Sequence, residues 1–178
     1  MSVPIFVDGK RFSIAEFEAA HGLTVGGTLD LSGTGITALP DDLTVSGSLD
    51  LSGTGITALP DGLTVSGSLD LSGTGITALP DDLTVGGSLD LSGTGITALP
   101  DGLTVGGTLD LSGTGIKPIG KDARGYEFFA VRLSTGPRVI AGCRNFSPAE
   151  ARAHWPEGSE CRALAEKCIA ALEAESAS

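Results

Sequence analysis

Aliphatic and polar positions alternate through residues 43–51: Leu43, Val45, Leu49 and Leu51 share one parity with Gly47, and Thr44, Ser46, Ser48 and Asp50 occupy the other. A period of two is the mark of an extended strand that buries one face. Turn chemistry interrupts it at Ser46-Gly47, at Gly53-Thr54-Gly55 and again at Pro60-Asp61. The pattern predicts short extended pieces joined by corners, with Leu43, Val45, Leu49, Leu51, Ile56 and Leu59 directed inward.

The same wording then returns at a fixed distance. LDLSGTGITALP begins at Leu29, Leu49, Leu69 and Leu89, and a decayed copy begins at Leu109. Aligned on LTV, the units start at Leu23, Leu43, Leu63, Leu83 and Leu103, a period of 20. The first four differ only at Gly26/Ser46/Ser66/Gly86, Thr28/Ser48/Ser68/Ser88 and Asp42/Gly62/Asp82/Gly102. Alternation at the last of these points to a 40-residue copied block. A fixed period in this range is the signature of a solenoid, whose units bury their apolar sides against their neighbours. Each well-buried aliphatic side chain contributes about 2 kcal/mol, which offsets chain ordering only when units stack. A single unit is therefore expected to be unfolded, and residues 23–120 are expected to form a β-rich solenoid.

Both flanks read as caps for the ends of such an array. In residues 1–22, Asp8-Gly9 is a hairpin signal, Ser13-Ile14-Ala15-Glu16 is a capping box, and Phe12 and Phe17 are spaced as a hydrophobic staple. A helix is expected from Ile14 to Ala20, stopping at Gly22. In residues 121–178, two strands are expected at Tyr126–Leu133 and Arg138–Phe146. Ser147-Pro148-Ala149-Glu150 opens a helix that ends near Trp155-Pro156, and Glu160–Glu175 is a final amphipathic helix. Alternation places Tyr126, Phe128 and Ile140 on one face of the hairpin and Phe129, Val131, Leu133, Val139 and Ala141 on the other. One face is expected to meet the helices and the other the last repeat.

Charge sharpens this division. The chain carries −11 overall, and from Leu23 to Ile116 there are eleven Asp and no Lys or Arg, so the N-terminal segment is near −1 and the C-terminal segment near +1. Such a balance argues against nucleic-acid binding. Nothing at the N-terminus resembles a signal peptide, and no stretch has membrane-spanning length. Cys143, Cys161 and Cys168 are odd in number and lack CxxC spacing, which indicates neither a disulfide framework nor a zinc site and fits a reducing cytoplasm. Glycine is abundant, 27 residues, and aromatics make up 4%, as expected for tight corners and small aliphatic stacking.

The order Leu49-x-Leu51-x-x-Thr54-x-Ile56-x-x-Leu59-Pro60 resembles the short bacterial leucine-rich repeat LxLxxNxLxxLP, with Thr54 where the ladder-forming Asn usually stands. The resemblance covers about 100 of the 178 residues. Near-perfect arrays with this wording are similar to ones in bacterial and phage proteins, which implies the cytoplasm of a bacterial cell or a phage-infected host. A standard unit has Leu three residues before Leu49, where this chain has Ser46. The fold expected is thus a leucine-rich-repeat-like solenoid, with a three-sided β-solenoid having sides near Leu43, Leu49 and Ile56 as the alternative, and α+β caps at both ends.

The leading candidate site is a column of carboxylates at Asp30, Asp50, Asp70, Asp90 and Asp110, each flanked by inward leucines. On stacked strands roughly 4.8 Å apart, like charges repel, raise one another's pKa values and form a negative stripe suited to a basic protein surface. The bland counterpart is a solubilising Asp that discourages edge pairing. Asp41, Asp42, Asp61, Asp81, Asp82 and Asp101 read as turn residues, and the spacing matches no calcium loop, so no metal or cofactor is expected. Threonine columns at Thr34/Thr54/Thr74/Thr94/Thr114 and Thr37/Thr57/Thr77/Thr97 leave open a structural or ice-binding array, or a consensus-like scaffold without a ligand. For an enzyme, only Cys143, His154 and His21 stand out, all in caps, and SGTGIT lacks the lysine of a phosphate loop. Arg124, Arg132, Arg138, Arg144 and Arg152 on the C-terminal module, opposite an acidic array, leave head-to-tail self-association open beside ordinary solubility. The expectation is a non-catalytic interaction module, an inhibitor or sequestering factor, that binds a basic partner.

Overall fold

The computed structural model describes residues 5–7, 10–20, 22–142 and 144–175. The chain is a β-solenoid in which repeats twenty residues apart stack as successive coils. Each coil contributes two short strands. The Thr-Val pairs β3 (Thr24–Val25), β5 (Thr44–Val45), β7 (Thr64–Val65), β9 (Thr84–Val85) and β11 (Thr104–Val105) form one five-stranded parallel sheet. The Leu-Asp pairs β4 (Leu29–Asp30), β6 (Leu49–Asp50), β8 (Leu69–Asp70), β10 (Leu89–Asp90) and β12 (Leu109–Asp110) form a second.

Backbone bonding runs in opposite senses along the two sheets. On the Thr-Val side an N–H donates to the preceding coil, as from Thr64 to the Leu43 carbonyl at 3.0 Å, whereas on the Leu-Asp side it donates to the following coil, as from Leu49 to Ser68 at 2.8 Å. A third side, without regular strands, is tied by bonds such as Gly75 N–H to the Ile56 carbonyl at 3.2 Å. The predicted inward set is the observed core: Leu43, Val45, Leu51 and Ile56 are fully buried, and Leu49 and Leu59 nearly so. Gly53, Gly73 and Gly93 turn the corner after the Leu-Asp strand with φ of 63°, 65° and 68°, a region that side chains disfavour. At the corner between the Thr-Val and Leu-Asp strands the coils nearly touch. A Cβ on Gly67 would lie 2.6 Å from the carbonyl carbon of Gly47, which is why glycine recurs there.

The N-terminal cap contains the antiparallel pair β1 (Ile5–Val7) and β2 (Lys10–Phe12) and the helix α1 (Ile14–Glu18). The expected Asp8-Gly9 turn lies outside the described residues. Ser13 and Glu16 form the capping box, and Phe12 meets Phe17 edge to face with centroids 6.3 Å apart. The helix is two residues shorter than the pattern predicts, with Ala19 as its C-cap, and its last residue, Glu18, turns its carboxylate to the array. Its Oε1 accepts the N–H groups of Thr37, at 2.8 Å, and Ala38, at 3.3 Å, which ties the helix to the first coil. Ile5, Val7, Phe12 and Phe17 join the array core.

At the other end β13 (Gly120–Lys121), β14 (Glu127–Leu133), β15 (Gly136–Ala141) and β16 (Arg144–Phe146) form an antiparallel sheet in that order, followed by α2 (Pro148–His154) and α3 (Glu160–Glu175). The capping box of Ser147 and Glu150 and Pro148 in the first turn are as expected. Two expectations need correction. The second strand does not run unbroken from Arg138 to Phe146: Gly142, at φ 59°, folds it back into β15 and β16. The register also pairs Phe129 with Ile140 and Phe128 with Ala141, so Ile140 shares the face of Phe129, and Val139 takes the other. Residues directly opposite in an antiparallel pair share a face, and a single-strand pattern cannot supply that register. Phe129, Val131, Leu133 and Ile140 pack on the array core, while Phe128 and Val139 pack with Ala151, Leu164, Ala165, Cys168 and Ile169 of the helices. The tip of the hairpin also finishes the Thr-Val sheet. Ser134 donates its N–H, at 3.1 Å, to the Leu103 carbonyl that a further coil would otherwise engage. No helix among the described residues is long and apolar enough to cross a membrane.

Candidate functional site

The five stripe aspartates fall directly opposite one another, with Asp30 facing Asp50, Asp50 facing Asp70, Asp70 facing Asp90 and Asp90 facing Asp110. The leucines before and after each point into the core, so each carboxylate stands outside; Asp30 is exposed and the other four half-buried. Every one of them also holds a corner. Oδ1 accepts the backbone N–H of the serine two residues on, at 2.9 Å in Asp50–Ser52 and 2.8 Å in Asp70–Ser72 and Asp90–Ser92. This is the Asx turn, in which Asp mimics a backbone turn. In the first two coils the serine hydroxyl adds a second bond, 2.7 Å from Asp30 and Asp50.

Asp30 departs from the expected rise in pKa. The Ser32 hydroxyl, followed by the Ser32 N–H, stabilises its charged form and holds its carboxyl below the usual carboxylate range. The Asp-x-Ser spacing was the signal for this role, and repulsion along the stripe is the consideration that obscures it. Beside the stripe runs a hydroxyl column in which Ser48 Oγ accepts the Ser68 N–H at 3.1 Å and Ser68 Oγ accepts the Ser88 N–H at 3.1 Å. Together the two columns line a shallow groove of about 340 Å³.

The other repeated polar residues have local work. Thr54, Thr74 and Thr94 are buried, and their hydroxyls donate to the carbonyls of Leu51, Leu71 and Leu91 at 2.6–2.7 Å. Thr37, Thr57, Thr77 and Thr97 are exposed, as are the corner aspartates Asp41, Asp42, Asp61, Asp81, Asp82 and Asp101. A Cβ on Gly62 would collide with the Asp42 carboxylate, giving the alternation of Asp and Gly at this corner a steric sense.

A second site, missed from the sequence, lies on the C-terminal module. Its centre is Asp122, a buried carboxylate whose Oδ1 accepts the N–H groups of Arg124 and Tyr126, both at 3.0 Å. Oδ2 takes Arg124 Nε at 3.0 Å and Nη2 at 2.8 Å, and the Cys161 thiol at 3.5 Å. Burial pushes this carboxyl up, but the Arg124 guanidinium, the two N–H groups and the thiol outweigh it and leave it below the ordinary range. Arg124 in turn lies over the Tyr126 ring, 5.0 Å from its centroid. Next to this knot opens a cavity of about 630 Å³ bounded by Tyr126, Phe128, Gly142, Arg144, His154 and Trp155. The ring of Phe128 is 5.3 Å from Trp155, and Phe146 backs both Trp155 and His154.

Of the residues considered for catalysis, His154 borders this cavity and ends α2, while His21 and Cys143 lie outside the described residues. Burial raises the thiol pKa of Cys161 and pushes that of Cys168 up to about 11, which favours the thiol over the thiolate in both. Among the described residues, no three His, Cys, Asp or Glu side chains are grouped to hold a metal.

Fold and sites together define a β-solenoid closed by α/β elements at its C-terminal end. Comparison of the chain with protein families, curated proteins and solved structures finds no match.

Proposed function

We propose that this chain is a non-catalytic protein-interaction module that binds a basic partner surface along its aspartate stripe. The observation that carries the reading is the register: Asp30, Asp50, Asp70, Asp90 and Asp110 stand in one line, and the corner bonds found in each coil engage Oδ1 and leave Oδ2 to a partner. Coils about 4.8 Å apart approach the spacing of basic residues three or four apart on a helix, roughly 4.5–6 Å along its axis. A helical segment with a lysine or arginine stripe therefore suits the face, and the lack of any Lys or Arg from Leu23 to Ile116 keeps the field unopposed. The resemblance of the repeat to short bacterial and phage leucine-rich repeats supports a setting inside a bacterial cell or a phage-infected host, where such a module would inhibit or sequester a basic factor.

The test replaces Asp50, Asp70 and Asp90 together by Asn, which keeps an Oδ1 acceptor for the corner. A helical peptide with lysine at every third or fourth position is the probe, followed by fluorescence anisotropy at low and high salt. Binding should fall at least about threefold, as exposed ion pairs contribute about 0.2–1 kcal/mol each and three are removed, and wild-type binding should weaken with salt. Equal binding by the triple variant would refute the role of the stripe.

A further inference from the structure

We propose that the cavity on the C-terminal module binds a small planar ring carrying an anionic group, a carboxylate or a phosphate. Its volume of about 630 Å³ falls within the range of small-molecule sites, about 300–1,000 Å³. Its walls are chemically unlike the rest of the chain. The protein contains one Trp, one Tyr and six Phe, yet Trp155, Tyr126 and Phe128 all border this cavity, with Phe146 packed behind Trp155. Aromatic rings set at tilted and edge-on angles favour a further ring placed among them.

The charge of the lining selects an anion. Among the described residues Asp122 is its only carboxylate, and it is already matched by Arg124, which leaves Arg144 in excess. Arg144 is exposed and its side chain has no hydrogen bond or ion pair among the described residues. Its neighbours differ: Arg132 donates to the Leu172 carbonyl, Arg138 to Thr135, and both Arg152 and Arg162 engage Glu166. Arg124 is held rigid by two bonds to the buried Asp122 and by the Tyr126 ring, with donors of its fork still unused. A guanidinium fixed before the ligand arrives loses little freedom on binding, which favours affinity. The ring of the ligand would lie against Trp155 and Phe128 and its anion between Arg144 and Arg124.

Trp155 is the sole tryptophan, so its emission reports on this cavity in the intact protein. The full chain is titrated with benzoate, phenyl phosphate, benzyl alcohol and inorganic phosphate. Benzoate or phenyl phosphate should change the emission saturably, and the tighter of the two identifies the anion. Benzyl alcohol and inorganic phosphate, each lacking half of the ligand, should bind at least about tenfold more weakly, a factor of ten being about 1.4 kcal/mol. Arg144→Ala should weaken binding about tenfold or more, since a hydrogen bond to a charged group contributes about 1.5–3 kcal/mol. Arg144→Lys should restore part of the loss, and Arg138→Ala, outside the cavity, should bind as wild type. The proposal is overturned by the lack of any saturable response up to about 10 mM, beyond the millimolar limit of weak specific binding. It is equally overturned if benzyl alcohol or inorganic phosphate matches phenyl phosphate, or if Arg144→Ala binds like wild type with an unchanged melting curve.

Discussion

The array and the C-terminal module solve the same problem of burial in opposite ways. In the array every coil repeats one solution: small aliphatic side chains inside, a glycine where coils nearly touch, and one hydroxyl or carboxylate at each corner. Its polar bonds are short in sequence, such as Asp70 to Ser72 and Thr74 to Leu71, or run one coil away. The module has no repeat to copy. It gathers residues distant along the chain, linking Asp122 to Cys161 and Arg152 to Glu166, and uses aromatic rings and ion pairs where the array uses leucine and threonine. Repetition distributes stability and multiplies a single surface residue into a line, whereas the irregular end can shape a cavity. The two proposed recognition surfaces follow from that contrast, an extended acidic face on one region and a compact cationic pocket on the other.

The contrast breaks most visibly where the coils touch. Gly67→Ala should lower stability by about 1–3 kcal/mol, as overpacking does, because its Cβ meets the fixed backbone of Gly47. Gly62→Ala is the control. There the new methyl meets the end of the flexible Asp42 side chain, and denaturant unfolding should find a much smaller loss. Since each coil rests only on its neighbours, the Gly67 effect should spread along the array, visible as faster amide exchange in residues 43–90.

In the module the sensitive point is Asp122. Its folded pKa is depressed, as are those of Glu150 and Glu166 through Ser147 and through Arg152 with Arg162. Such groups add stability that is fully present above their unfolded pKa values, near 4, and lost as the pH falls through the lower folded values. Melting temperature should therefore hold at neutral pH and drop below about pH 4. Asp122→Ala should lower the plateau, and part of the acid-induced drop should vanish with it. A modest loss is expected of Thr74→Val, which removes one buried hydroxyl bond to Leu71 and should cost about 1 kcal/mol in thermal or denaturant unfolding.

Much of the solenoid was legible because a period of twenty puts equal residues side by side, so Leu49, Leu51 and Ile56 could be placed in the core and Asp50 outside from spacing alone. The capping boxes at Ser13 and Ser147 were readable for the related reason that their chemistry spans only three residues. Partnerships set by folding were not. The pairing of Phe129 with Ile140 depends on how β14 and β15 slide, and the fold-back at Gly142 depends on what the third strand must cover. The cavity draws Tyr126, Arg144 and Trp155 from three separate stretches of the chain, and no motif joins them. At the stripe, position was read correctly and chemistry only in part: the line of carboxylates was visible, while the Ser52 bond that engages one oxygen of Asp50 was overlooked.

We propose that the aspartate line, rather than the acidity of the array as a whole, receives a basic partner. Carboxyl ¹³C resonances of all aspartates, followed while the lysine-striped helical peptide is added, test it directly. Asp50, Asp70 and Asp90 should shift together and saturably while the corner residues Asp61, Asp81 and Asp101 stay in place. Equal shifts at stripe and corners, or movement at the corners alone, would contradict it.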